Sequence, residues 1–359
     1  GENLTLTGNG TISNKNVATG KTLDVSGLTL GNGSGGTPGL SSNYKLDGGT
    51  HTFNVTKKDI TFSGSRVYDG TTTVTSSDLI TNDTTSGETL AFSGSGTVSS
   101  ANVQNNQSIT LGSIAIADGS GGGLASNYNL TTGTFDISQK WVSVGGQKIY
   151  DATTTVSSSD LEVTGEVTGE SISITGTGSV TDKNVGSGKT IDISGLSLSD
   201  GSHSASNYTI GTTSFAITRR NLSIGGEKVY DGTGTVLASQ IDTVNTAGGE
   251  TLTISGEGSV SLPSVGTNKS ITLNTLGISD GTNGTIGLAS NYTLDSGSFD
   301  ITTKPITLLG SRQYDGTTDA ASSDLTLIGQ VSGESISITG TGSVTDKNVG
   351  AGKTINTTG

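Results

Sequence analysis

The sequence repeats itself, and a chain built from copies folds as a series of like units rather than as one layered domain. Tyrosines mark the period. Tyr-Asp-Gly occurs at Tyr68, Tyr230 and Tyr314, with Tyr-Asp-Ala at Tyr150, and Ser-Asn-Tyr ends at Tyr44, Tyr128, Tyr208 and Tyr292. Successive copies of either motif lie 80 to 84 residues apart, and the two motifs together account for all 8 tyrosines. A phenylalanine follows each Ser-Asn-Tyr, at Phe53, Phe135, Phe215 and Phe299. The stretch from Gly169 to Ile191 recurs from Gly333 to Ile355 with Ala351 replacing Ser187 as the only change, which points to recent duplication.

Within each copy the apolar residues alternate, as in Ile60/Phe62, Val142/Val144, Leu222/Ile224, Ile172/Ile174 and Phe215/Ile217. A period of two marks strands with one buried face, and the Gly, Asn and Asp clusters between the runs supply turns. Helical spacing is not evident. The pattern predicts five or six short strands per copy and an all-β fold. It also predicts a tandem array of small antiparallel β-domains, each a bead of about 80 residues with its own core, forming an elongated rod. Boundaries fall near Lys57, Lys140, Arg220 and Lys304. They give a partial repeat 1–56, repeats 57–139, 140–219 and 220–303, and a partial repeat 304–359. The joints VTKKDITF, ISQKWVSV, ITRRNLSI and ITTKPITL carry strand pattern on both sides, so the beads follow one another without linkers.

Composition narrows the function. Hydrophobic residues make up 29% and aromatics 4% of a chain with 57 glycines, so the core is thin and both motif tyrosines are expected to be buried in it. There is no cysteine, which removes disulfides, thiolate nucleophiles and cysteine zinc sites, and suits export through an oxidising compartment. The net charge of −13 repels a phosphate backbone, so no nucleic-acid partner is expected. No apolar run is long enough to cross a bilayer, and the chain opens GENLTLTG without an export signal; it reads as a mature, soluble fragment with no membrane insertion.

Candidate chemistry is sparse. Tyr-Asp-Gly reads as a core tyrosine followed by an aspartate-capped turn relaxed by glycine, and Ala152 in the glycine position argues against a required positive φ there. Asp118, Asp200 and Asp280, with Asn32 in the first copy, open the loops before Ser-Asn-Tyr and offer oxygen ligands, but the dense acids of a calcium loop are missing. The expectation is no cofactor, with calcium as the minor alternative. GNGSGG from Gly31 to Gly36 matches a phosphate-loop pattern without the following helix that gives it meaning. His51 and His203 occupy non-equivalent positions, so no shared triad or metal cluster is expected. Glu88, Glu170, Glu250 and Glu334 recur in Gly-Glu turns and read as solvated charges. Lys15, Lys183 and Lys347 precede Asn16, Asn184 and Asn348, but the other copies read SSANV and SLPSV, so an isopeptide staple common to all beads is not expected. Trp141 replaces Asp59, Asn221 and Pro305 of other copies; packing between beads is favoured over stacking on a sugar. No catalytic, cofactor-binding or metal residue is assigned, and an enzyme is not expected.

The paired motifs, RVYDGTTTV from Arg66 to Val74 and KVYDGTGTV from Lys228 to Val236 with Ser-Asn-Tyr downstream, resemble the YDG-type repeat domains of large secreted bacterial adhesins. Such repeats occur in filamentous-haemagglutinin-like proteins. The resemblance implies a cell-surface or biofilm-matrix location and a structural stalk or spacer that projects a binding tip or builds matrix. Its partners would be neighbouring repeats and other copies of itself in a fibre. A glycan-binding or other surface-binding repeat module is the alternative.

Overall fold

The computed structural model describes residues 1–46, 50–295 and 297–358. It is all-β, with single 3-10 turns and no longer helix among the described residues. No helix is long and apolar enough to cross a membrane. The tandem all-β array is what the alternation predicts.

Repeat 57–139 shows the plan. Its central sheet runs in the order Gln104–Ser108, Tyr128–Ser138, Lys58–Val67, Leu79–Thr81. Two smaller pairings lie beside it, Thr73–Thr75 with Ser95–Thr97 and Leu90–Ser93 with Ala115–Asp118. Eight strands replace the expected five or six. The turn at Gly94, with φ of 78°, splits one apolar run into two strands. The strand QNNQS carries no apolar alternation and so leaves no trace in the pattern.

One pairing departs from the antiparallel expectation. Tyr128–Ser138 runs parallel to Lys58–Val67, with Phe135 opposite Gly64, and antiparallel to Gln104–Ser108, with Phe135 opposite Gln107. Alternation tells which face of a strand is buried and nothing about the direction of its neighbour. A parallel pair needs a long crossover, and here nearly the whole repeat supplies it. Phe135 is fully buried, and its removal from water stabilises the sheet by about 2–3 kcal/mol. A Cβ on Gly64 would stand 2.9 Å from the Phe135 ring, so the glycine is a packing requirement. Repeat 220–303 has the same core: Ser298–Thr302 lies between Gly266–Thr272, antiparallel, and Arg220–Val229, parallel.

The chain divides into two compact units, which do not follow the repeat period. The first contains Gly1–Val144, Glu162–Gly176 and Leu196–Thr212; the second contains Gly145–Leu161, Thr177–Gly195 and Thr213–Gly359. Repeat 140–219 contributes segments to both. Cores do not follow the expected one-per-bead pattern either. In the first unit a single cluster joins Phe62, Tyr68, Val74 and Phe135 of one repeat to Val142, Ile172 and Tyr208 of the next. The second unit has a cluster built on Ile224, Val236, Val260, Phe299 and Ile301. Apolar burial thus continues through a joint, because the thin core of one repeat leaves an apolar end that only its neighbour covers.

Candidate functional site

Tyr-Asp-Gly begins as a local device. Asp69, Asp151, Asp231 and Asp315 each accept the backbone N–H of the threonine two residues on, and pair with the cation three residues back, Arg66, Lys148, Lys228 or Arg312. Gly70, Gly232 and Gly316 take φ near 80°, and Ala152 takes φ of 65°. The positive φ is therefore demanded in every copy, and Ala152 is a strained substitution tolerated by the turn, not proof that the turn is relaxed.

That turn aims the tyrosine at the following repeat. In the first unit Tyr68 donates its hydroxyl to Glu170 Oε1 at 2.8 Å, while Tyr208 donates to Glu170 Oε2 at 2.5 Å. The two rings meet edge to face with centroids 5.5 Å apart. In the second unit Tyr150 and Tyr292 repeat the arrangement on Glu250, at 2.7 and 2.8 Å, with ring centroids 5.4 Å apart. Tyr230 donates likewise to Glu334. The Ser-Asn-Tyr phenols also accept a backbone N–H, from Thr85 to Tyr128, Val167 to Tyr208 and Ala247 to Tyr292, so each of these hydroxyls both donates and accepts. The expectation of buried tyrosines holds for Tyr68, Tyr128, Tyr150, Tyr208 and Tyr292. It fails for Tyr44 and Tyr314, 48% and 63% exposed, which lie in the partial repeats.

The glutamates correct the sequence reading most sharply. Glu88 and Glu250 are 7% and 3% exposed, not solvated. A buried carboxylate persists only when donors surround it. Glu250 has three, the two phenols and Lys183 Nζ at 2.6 Å. Burial alone would raise its carboxyl, but Lys183, Tyr150 and Tyr292 outweigh burial and hold it below the ordinary value. Glu88 is lowered by Lys15 and Tyr128. Desolvation, then the hydrogen bond to glutamate, pushes Tyr68 and Tyr208 up to about 12. Tyr292 is also pushed to about 12, by desolvation first, and Tyr150 is raised by the same causes as Tyr68. Lys15 and Lys183 thus serve as counter-ions to a glutamate of the next repeat, not as staples to asparagine. Repeats 57–139 and 220–303 carry Ala101 and Pro263 at that position. Facing Glu170 from its own repeat is His203 Nε2, at 3.9 Å.

The asparagine of Ser-Asn-Tyr completes the joint. Its 3-10 turn is held by the aspartate that opens the loop: Asp118, Asp200 and Asp280 accept the N–H of Ala125, Ala205 and Ala289. These are the carboxylates weighed for calcium. Among the described residues no group of three or more His, Cys, Asp or Glu side chains is placed to hold a metal. The turn presents Asn127, Asn207 and Asn291 to an Asn-Val pair of the preceding repeat. Asn207 Oδ1 accepts Val103 N–H at 2.9 Å while its Nδ2 donates to Asn102 at 3.0 Å; Asn291 grips Asn184-Val185 and Asn127 grips Asn16-Val17 in the same way. Asn207 and Asn291 are each 1% exposed. The asparagine of Lys-Asn-Val was visible in the sequence, but only as a partner for lysine.

Trp141 does not pack between repeats as expected. It is 76% exposed and lies across Gly211 of its own repeat, where a Cβ would stand 3.1 Å from the Trp141 Cβ. His51 Nε2 is bound to the Leu46 carbonyl at 2.7 Å, so the structure does not bring the two histidines together.

Both tyrosine motifs therefore meet at one place, the boundary between a repeat and its successor, and the arrangement encloses its carboxylates instead of presenting them to a cleft. The YDG domain matches the chain four times, over residues 50–135, 139–215, 218–299 and 301–359. No curated protein matches it.

Proposed function

Starting from a chain that belongs to the YDG domain family over most of its length, we propose that it is the structural stalk or spacer of an extracellular bacterial adhesin or surface fibre. The carrying observation is that the two family motifs are spent on joining repeats: Tyr-Asp-Gly on a glutamate one repeat ahead, Ser-Asn-Tyr on an Asn-Val pair one repeat behind. A binding module would place its recurring polar side chains where a ligand reaches them. A spacer gains more from fixing the angle between neighbours, because a stiff joint keeps whatever it carries away from the surface. Burial of two phenols, a carboxylate and an asparagine at each complete joint supports this reading, since a bend there would strand them all without partners. Small-angle scattering tests it: an array stiff at every joint gives a radius of gyration well above the ~20 Å of a compact chain of this length. A value near 20 Å would end the spacer reading.

One observation favours the glycan-binding alternative. The exposed indole of Trp141, laid flat over a glycine, is a surface on which a sugar ring stacks. Glycan-array binding lost on Trp141→Ala would establish it, and an array without hits would leave the spacer alone.

A further inference from the structure

In each earlier repeat the Phe-x-Ile strand occupies a slot between two others. In repeat 220–303, Phe299 lies opposite Gly226 on its parallel side and Lys269 on its antiparallel side, and Ile301 lies opposite Lys228 and Gly266. Phe299 and Ile301 are 0% and 1% exposed and fill the middle of the sheet.

Repeat 304–359 carries both walls of this slot. Gly310 and Arg312 stand where Gly226 and Lys228 do, and Gly350 and Lys353 where Gly266 and Lys269 do. Thr307–Gly310 is paired with Leu325–Ile328, and Ile355–Asn356 with Thr341–Val344. Between the two free edges runs a cleft of about 1140 Å³, lined by Leu308, Ala320, Leu325, Val344 and Ile355 among others. Its walls are open where the earlier repeat is closed: Ile306 is 43% exposed against 0% for its counterpart Leu222, and the Arg312 side chain 24% against 2% for Lys228.

We propose that this cleft is a strand-binding site whose occupant is an extended Phe-x-Ile segment of another YDG repeat. The segment would add parallel to Thr307–Gln313 and antiparallel to Gly350–Thr354. Two open sheet edges about one strand apart satisfy both sides of an incoming backbone, and pockets at alternate positions select its side chains. Gly310 leaves room for the phenylalanine, as Gly64 does for Phe135. Arg312 stands where Arg66 stands, and Arg66 lies 5.4 Å above the Phe135 ring. The best-matched strand is SFAIT, Ser214–Thr218. The segment Gly333 to Ile355 copies Gly169 to Ile191 at all but one position, and that copied segment already pairs Gly186 with Ile217 and Lys189 with Phe215.

The test uses the whole chain and a labelled synthetic peptide of residues 205–218. Saturable one-to-one binding is expected, weakened roughly tenfold or more when the peptide carries Phe215→Asp. The chain has no cysteine, so Ser311→Cys paired with Ala216→Cys in the peptide reports the register: Ser311 matches Glu227, which faces Asp300, the counterpart of Ala216. A disulfide is expected for that pair and not when the peptide cysteine is moved to Thr213→Cys. Absence of saturable binding, equal binding of the Phe215→Asp peptide, or cross-linking indifferent to position would each overturn the proposal, the last by showing adhesion to any sheet edge.

Discussion

Glu250→Ala tests the joint at its centre. The substitution leaves the Tyr150 and Tyr292 hydroxyls, buried with their rings, without the acceptor they hold at 2.7 and 2.8 Å. Each unsatisfied buried donor costs about 1–3 kcal/mol. Lys183, with 38% of its side chain exposed, recovers most of its loss by hydration. The total is about 3–5 kcal/mol, which for a unit of this size lowers the melting transition by roughly 10 °C. Glu250→Gln keeps the volume and one acceptor, and should cost about 1–2 kcal/mol. Calorimetry of the full chain is the assay, with the exposed Glu162→Ala as a control expected to change stability by less than about 0.5 kcal/mol. The pH dependence is the sharper arm. The folded Glu250 carboxyl lies below its ordinary 4.5, so its contribution is present above that value and disappears as pH falls through the lowered one. The gap between the parent chain and Glu250→Gln should close at pH 2–3, where parent and variant are both neutral at this position. An unchanged transition at pH 7, or a gap that persists in acid, would refute the claim that a buried carboxylate holds the joint.

Asn291→Ala removes the acceptor of the Val185 amide, and hydrogen exchange at Val185 should accelerate by about tenfold or more, with exchange at Val103 unchanged. Alkaline titration followed by tyrosinate absorbance should show Tyr68, Tyr208 and Tyr292 ionising near 12. Their folded values exceed the ordinary 10, so stability is intact below pH 10 and declines between 10 and 12; all eight tyrosines titrating together near 10 in folded protein would contradict it. Ala152→Gly should stabilise the chain by about 1 kcal/mol, because φ of 65° strains any residue with a Cβ; a lower melting temperature would count against the strain.

The period, the strand faces and the motif registers were all legible in the sequence, because alternation and turn chemistry act over a few residues. Joint partners were not. Tyr68 meets Glu170 across 102 positions and Tyr150 meets Glu250 across 100, both longer than one repeat. Reading each copy as a self-sufficient bead therefore put tyrosine in its own core and left glutamate in water. The same assumption turned Lys183 toward Asn184 beside it instead of Glu250 ahead. A signal was available: Tyr-Asp-Gly, Gly-Glu, Asn-Val and Ser-Asn-Tyr recur together, and turn geometry alone accounts for none of the four polar side chains at once. The parallel pairing of Tyr128–Ser138 was beyond reach, since a buried strand reads alike in either direction.

The lysine that pairs with glutamate comes from every second repeat, at Lys15, Lys183 and Lys347, with Ala101 and Pro263 between them. Gly169 to Ile191 and its near-duplicate Gly333 to Ile355 stand two repeats apart, so the heritable module is a pair of repeats with one lysine-bearing and one lysine-free boundary. A mutation in a boundary glutamate is compensated, if at all, in a neighbouring copy and not in its own. Repeats in such a chain cannot drift independently, and lineages that lengthen or shorten it should do so in pairs.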